Sequence, residues 1–63
     1  MVRKNFLLTI TKADRRYKNG VRLWDMYAYN DVDPAWMAEE VRVLRNQLYR
    51  SEDGFALTVE EVR

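Results

Sequence analysis

The sequence predicts a small α+β domain with one helix packed on one face of a three-stranded sheet, in the order β-β-α-β. Three observations predict it. Two runs rich in β-branched and aromatic residues flank an Asn19-Gly20 turn signal. A capped amphipathic helix follows them, and after it a short run alternates apolar with polar residues.

The first strand is FLLTITK, residues 6–12. Phe6, Leu8 and Ile10 fall on one face, Leu7, Thr9 and Thr11 on the other. One apolar and one semi-polar face suit the middle of a sheet covered on one side. The second strand is VRLWDMYAY, residues 21–29. Val21, Leu23, Tyr27 and Tyr29 share one parity, and Trp24, Met26 and Ala28 the other. Both parities are partly apolar, so alternation leaves open which is buried. The hairpin register is open as well. A two-residue Asn-Gly turn would set Asp14 directly opposite Asp25, an unfavourable like-charge pair. A wider loop over residues 15–20 avoids it.

The helix, residues 34–50, is the most legible element. Asp33 is a good N-cap and Pro34 sits at the first helical position, where its missing N–H costs nothing. Val32 and Met37 have the spacing of a hydrophobic staple. Met37, Val41, Leu44 and Leu48 form one apolar stripe, and Leu44 at its middle is expected to be fully buried against the first strand and Leu57. Glu39 and Glu40 come early and Arg50 late, matching the helix dipole. Ser51-Glu52-Asp53-Gly54 is a turn cluster. The third strand, residues 55–60, shows Phe55, Leu57 and Val59 on one face. A right-handed crossover and the apolar first strand at the centre give the order 2-1-3.

With 63 residues the chain makes a single domain, near the size where one core is only just sufficient. It has no cysteine and no histidine, which removes disulfides and the usual zinc ligands. Catalysis is not expected: the commonest acid–base and the thiol nucleophile are both missing, and Ser51 is the only serine. With two glycines no phosphate-cradling loop forms, so neither metal nor cofactor is expected. No apolar run has the length of a membrane span or a signal peptide's core, so the expected location is the cytoplasm and no membrane partner is expected.

The net charge of +1 hides a split. Residues 1–23 carry seven Lys/Arg against Asp14 alone, and residues 24–63 carry four against nine Asp/Glu. Complementarity within the fold accounts for this as well as a charged partner does.

Two binding surfaces suggest themselves. The first is for a protein: Trp24, Met26, Tyr27 and Tyr29 on the second strand, with Trp36 and Val43 off the helix stripe, exceed what one covered face can bury. The second strand is also an edge in this order. A homodimer paired through residues 22–29 or across the helix flank is therefore expected. The alternative is DNA or RNA held by the basic hairpin tip, where Arg15, Arg16, Lys18 and Arg22 flank Tyr17. Near-neutrality of the whole chain favours the protein partner. A binding protein of this size without cofactor chemistry has the character of an inhibitor or adaptor that a virus or mobile element directs at host nucleic-acid machinery.

Overall fold

The computed structural model describes residues 2–63. Strands β1 (Lys4–Ala13), β2 (Val21–Val32) and β3 (Phe55–Val62) form one sheet, and helix α1 (Pro34–Gln47) joins β2 to β3. The sheet order is β2-β1-β3, and β1 is antiparallel to both neighbours. This is the predicted β-β-α-β arrangement. No helix among the described residues is long and apolar enough to cross a membrane.

β1 takes the centre because it is the strand that can be buried. Leu8 and Ile10 are fully enclosed, and with Met37, Val41 and Tyr49 they make the core. Phe6, Tyr29, Val32, Leu44, Phe55 and Leu57 pack around them. Leu44 is thus half-buried, not fully buried as its place on the stripe predicts. The cause lies at the helix end. α1 stops at Gln47, short of the expected residue 50, and Leu48 leaves the helix 59% exposed. Leu44 O accepts from both Leu48 N and Tyr49 N at 3.0 and 2.7 Å, and this widened last turn carries the Tyr49 ring into the core. Tyr49 closes the end of the core that a longer stripe was expected to close.

At its start the helix behaves as its sequence indicates. Asp33 accepts from Ala35 N at 3.0 Å, Pro34 follows, and Val32 and Met37 belong to one cluster. The dipole expectation needs correction. Glu39 and Glu40 lie past the first turn, Arg50 lies beyond the helix, and Arg45 is the base in the last turn.

The hairpin takes the wider loop. Ala13 faces Val21 and Asp14 N donates to Gly20 O at 2.8 Å, so Asp25 lies opposite Ile10 and never meets Asp14. Two bulges interrupt the β1–β2 pairing. Thr11 faces Leu23 and Ile10 faces Asp25, which leaves Trp24 as the extra residue. Lys4 faces Val32 and Phe6 faces Tyr29, with Asp31 at φ 57 in the second bulge. Short polar residues tolerate that left-handed region, and Asn5 Oδ1 accepts from Asp31 N at 2.8 Å. β3, by contrast, pairs with β1 without a break from Phe55 to Val62.

Candidate functional site

Residues directly opposite in an antiparallel pair share a face. The register therefore sorts every strand residue. Phe6, Leu8 and Ile10 of β1, Tyr27 and Tyr29 of β2, and Leu57 and Val59 of β3 lie beneath the helix. Leu7, Thr9 and Thr11 of β1 look the other way, with Leu23, Met26 and Ala28 on one side and Ala56, Thr58 and Glu60 on the other. Among the described residues nothing covers this second face: their Cα envelope is 12 Å through its thinnest axis. Leu23 and Met26 are 56% and 46% exposed there, with Val21 and Val62 also open at its ends. Threonines fill its middle, and Glu60 is its acidic group.

The six aromatic and aliphatic residues singled out for a protein interface do not form one surface. Met26 is on the open face. Tyr27 and Tyr29 are on the covered one. The Tyr27 and Tyr49 hydroxyls lie 3.1 Å apart, and Tyr29 OH donates to Glu40 at 3.3 Å. The Tyr49 hydroxyl, and after it the Asp25 carboxylate, hold the Tyr27 phenol protonated above its ordinary range. Burial, then the nearby Glu40 charge, does the same for Tyr29.

The bulge carries Trp24 to the covered side, past the helix end. Its ring packs edge-on to Phe55 at 5.3 Å, and Phe55 to Tyr49 at 5.4 Å. Lys12 Nζ stands 4.9 Å from the Trp24 ring and the Arg22 guanidinium 5.2 Å from it. Trp36 leans over the β2 edge against Tyr29 at 5.9 Å, with about half its surface exposed, and Val43 is half-buried on the helix. Leu23, an open-face residue, escapes the sequence reading because the bulge reverses parity on its N-terminal side.

The basic tip is also rearranged. Asp14 accepts from Arg16 Nε at 3.0 Å, from Arg16 Nη2 at 2.8 Å and from the Arg16 backbone N–H at 3.0 Å. These bonds hold the Asp14 carboxyl down at about 2. Arg16 is therefore engaged within the loop, and Arg22 lies on Trp24. Arg15, Tyr17 and Lys18 stay exposed at the tip. One ion pair among the described residues joins the basic and acidic halves of the chain, Lys4 to Glu61 at 2.8 Å. Arg3 adds a bond to the Asp31 carbonyl at 3.1 Å.

A third feature lies between α1 and β3, where Phe6, Met37, Val41 and Val59 line an apolar groove of about 440 Å³ with Arg45 at its rim. Comparison with family models, with curated proteins and with solved structures finds no match for this chain.

Proposed function

We propose that this chain is a non-catalytic protein-binding module that engages its partner through the open face of the sheet. One observation carries the reading: Leu23 and Met26 stand about half exposed beside Leu7, Ala28 and the central threonines, on a face that no second layer covers among the described residues. A small domain that leaves such a contiguous surface in water has a use for it. The face is uncharged at its threonine centre and apolar on its β2 side, which suits an uncharged protein surface such as a sheet or the apolar side of a helix. The aromatic groups belong to the other side of the sheet: Tyr29 packs against the core, and Trp24 and Tyr27, though partly exposed, are held there by Phe55 and by the Tyr49 hydroxyl. Binding without chemistry is how an inhibitor or adaptor works.

The rival is nucleic acid at the hairpin tip. It has less to work with than the sequence offers, because the Arg16 side chain is clamped by Asp14 and Arg22 covers Trp24. Two variants separate the readings. Leu23→Asp puts a charge among the exposed apolar residues on the β2 side of the open face, and an apolar anchor of this kind commonly contributes ≥2 kcal/mol to a complex. It should abolish capture of the protein partner while the circular dichroism spectrum stays unchanged. The pair Arg15→Ala, Lys18→Ala should leave capture intact. Strong retention of the wild type on duplex DNA at near-physiological salt, lost in the Arg15/Lys18 pair, would replace the open face with the tip.

A further inference from the structure

We infer that the free edge of β3 is the interface for a second copy of this chain, joined antiparallel about Val59 into a continuous sheet. It rests on the binding reading in one respect: the joined sheet presents two open faces as one.

The backbone fixes which groups are available. Ala13 N donates to Gly54 O at 2.8 Å. The alternation of an antiparallel ladder then points the N–H and C=O groups of Ala56, Thr58 and Glu60 toward β1. Those of Leu57, Val59 and Glu61 point away from the sheet. The Phe55 N–H has its acceptor in Arg50 O at 3.3 Å. An unbroken row of paired donors and acceptors is thus left at one edge, on a strand with no bulge and no proline.

That row is self-complementary. With Val59 opposite Val59 of the other copy, Leu57 falls opposite Glu61, and all three exchange hydrogen bonds as edge-facing residues. On the open face the same register sets Thr58 against Glu60 and Ala56 against Val62, so no like charges meet directly. The helix side fits too. Val59 lines the apolar groove beside α1, and Arg45 at its rim has no ion pair among the described residues. Glu61 of the incoming strand, opposite Leu57, brings to that side a carboxylate that its own copy's Lys4 holds at 2.8 Å and that has a second oxygen to offer Arg45. A generic extended peptide would satisfy the backbone but does not bring this register of Val59 on Val59 with every glutamate opposite an uncharged residue.

The test combines sedimentation with amide hydrogen exchange at residue resolution. The wild type should sediment as a dimer at micromolar to sub-millimolar concentration. Exchange should slow with concentration at Leu57, Val59 and Glu61, and stay unchanged at Phe55, Ala56 and Thr58. Val59→Pro removes only an outward N–H, which an edge strand tolerates, so it should weaken association by at least about tenfold with the fold retained. Val59→Lys, which sets two ammonium groups face to face, should do the same. A monomer across that range overturns the proposal. So does a dimer in which the alternating protection is missing, or one that survives Val59→Pro and is lost in Leu23→Asp, which would place the contact on the open face. Leu23→Asp should leave this dimer intact while ending partner capture, so the two readings fail separately.

Discussion

β2 leaves its free edge interrupted at Trp24 and again at Asn30–Asp31, whereas β3 runs against β1 without a break. Between the two interruptions, the Met26 N–H points away from β1 and would be open to a neighbour. Asp25 Oδ1 accepts from it at 2.8 Å. β2 is also the longer strand and carries the larger apolar side chains, so it is the edge with more to lose from unwanted pairing. Bulges, and here a carboxylate turned onto the free edge, blunt such edges. β3 has neither device, only the charges of Glu60 and Glu61 near its end. The contrast teaches that exposure of an edge says little until its hydrogen-bonding groups are followed one by one. The strand that looks stickier from its side chains is the one whose edge is partly closed, by two bulges and the bonded Met26 N–H, with the Ala28 groups still turned outward.

Both edges depend on β1, so the largest effect expected comes from breaking it. Leu8 is fully enclosed between the outer strands and beneath the helix. Leu8→Ala should cost ~2–5 kcal/mol. A domain of this size holds roughly 5 kcal/mol or less in reserve. Chemical denaturation should show the variant largely unfolded at 37 °C. Leu44→Ala, at a half-buried position, should fall near or below the bottom of that range. If the two variants lose equal stability, the helix lies deeper on the sheet at Leu44 than the structure has it.

The next effect concerns how β3 begins. Gly54 has φ 90, its carbonyl accepts from Ala13 N, and a Cβ added there would stand 3.4 Å from the Ala13 Cβ. Gly54→Ala forces an L-residue into the left-handed region at a cost of about 1–2 kcal/mol. Gly20, at φ 82 in open space, faces the same backbone penalty without the contact. Gly54→Ala should therefore lower the melting temperature more than Gly20→Ala. An equal loss would mean that β3's start adapts and that its register is less firmly held than β2's.

The order of elements, the centre strand and the helix start were legible because each rests on local chemistry: alternation in FLLTITK, the Asp33 cap, Pro34 at the first helical position. What stayed hidden depends on single insertions into a regular pattern. A period of two assigns Leu23 to the face of Tyr27 only if no residue is extra between them, and Trp24 is extra. Nothing in Leu23-Trp24-Asp25 marks a bulge, since no glycine is needed there. The helix end was hidden for a similar reason. Asn46-Gln47-Leu48 contains no glycine or proline, and the stripe continues through Leu48 on paper. The chain leaves the helix because the Tyr49 ring fills the end of the core next to Phe55, a tertiary preference that no local signal records. The candidate surface was legible in kind, an apolar excess on β2, but not in its division between faces, because the bulge at Trp24 sets Leu23 with Met26 and apart from Tyr27 and Tyr29.

A smaller effect tests the closed edge directly. Asp25→Ala leaves the Met26 N–H without its acceptor, and losing one exposed hydrogen bond costs about 0.5–1 kcal/mol. The larger consequence is in association: with the edge reopened between its two bulges, the variant should form higher oligomers at concentrations where the wild type does not. Light scattering across a dilution series reads this. An Asp25→Ala protein that behaves as the wild type would show that the bulges alone close the β2 edge.

The smallest effect belongs to the loop that sets the register of β2. Asp14 both donates its N–H to Gly20 O and holds Arg16 through its carboxylate, whose pKa lies at about 2 because the Arg16 side chain, and after it the Arg16 backbone N–H, bonds the charged form. A carboxyl lowered in the folded state stabilises the fold above its unfolded value of about 4 and loses that contribution as pH falls toward the folded value. The loop should therefore loosen between about pH 4 and pH 2, while the sheet beneath it changes little, because the Arg16 guanidinium is mostly in water. A carboxyl titration by NMR measures it, and Arg16→Ala should return Asp14 only part of the way, since residue 16 keeps its backbone N–H. If wild-type Asp14 titrates in the ordinary carboxylate range, the clamp does not hold in solution. Arg16 would then join Arg15 and Lys18 at the tip, and the case for nucleic acid would gain the charge that the folded loop withholds from it.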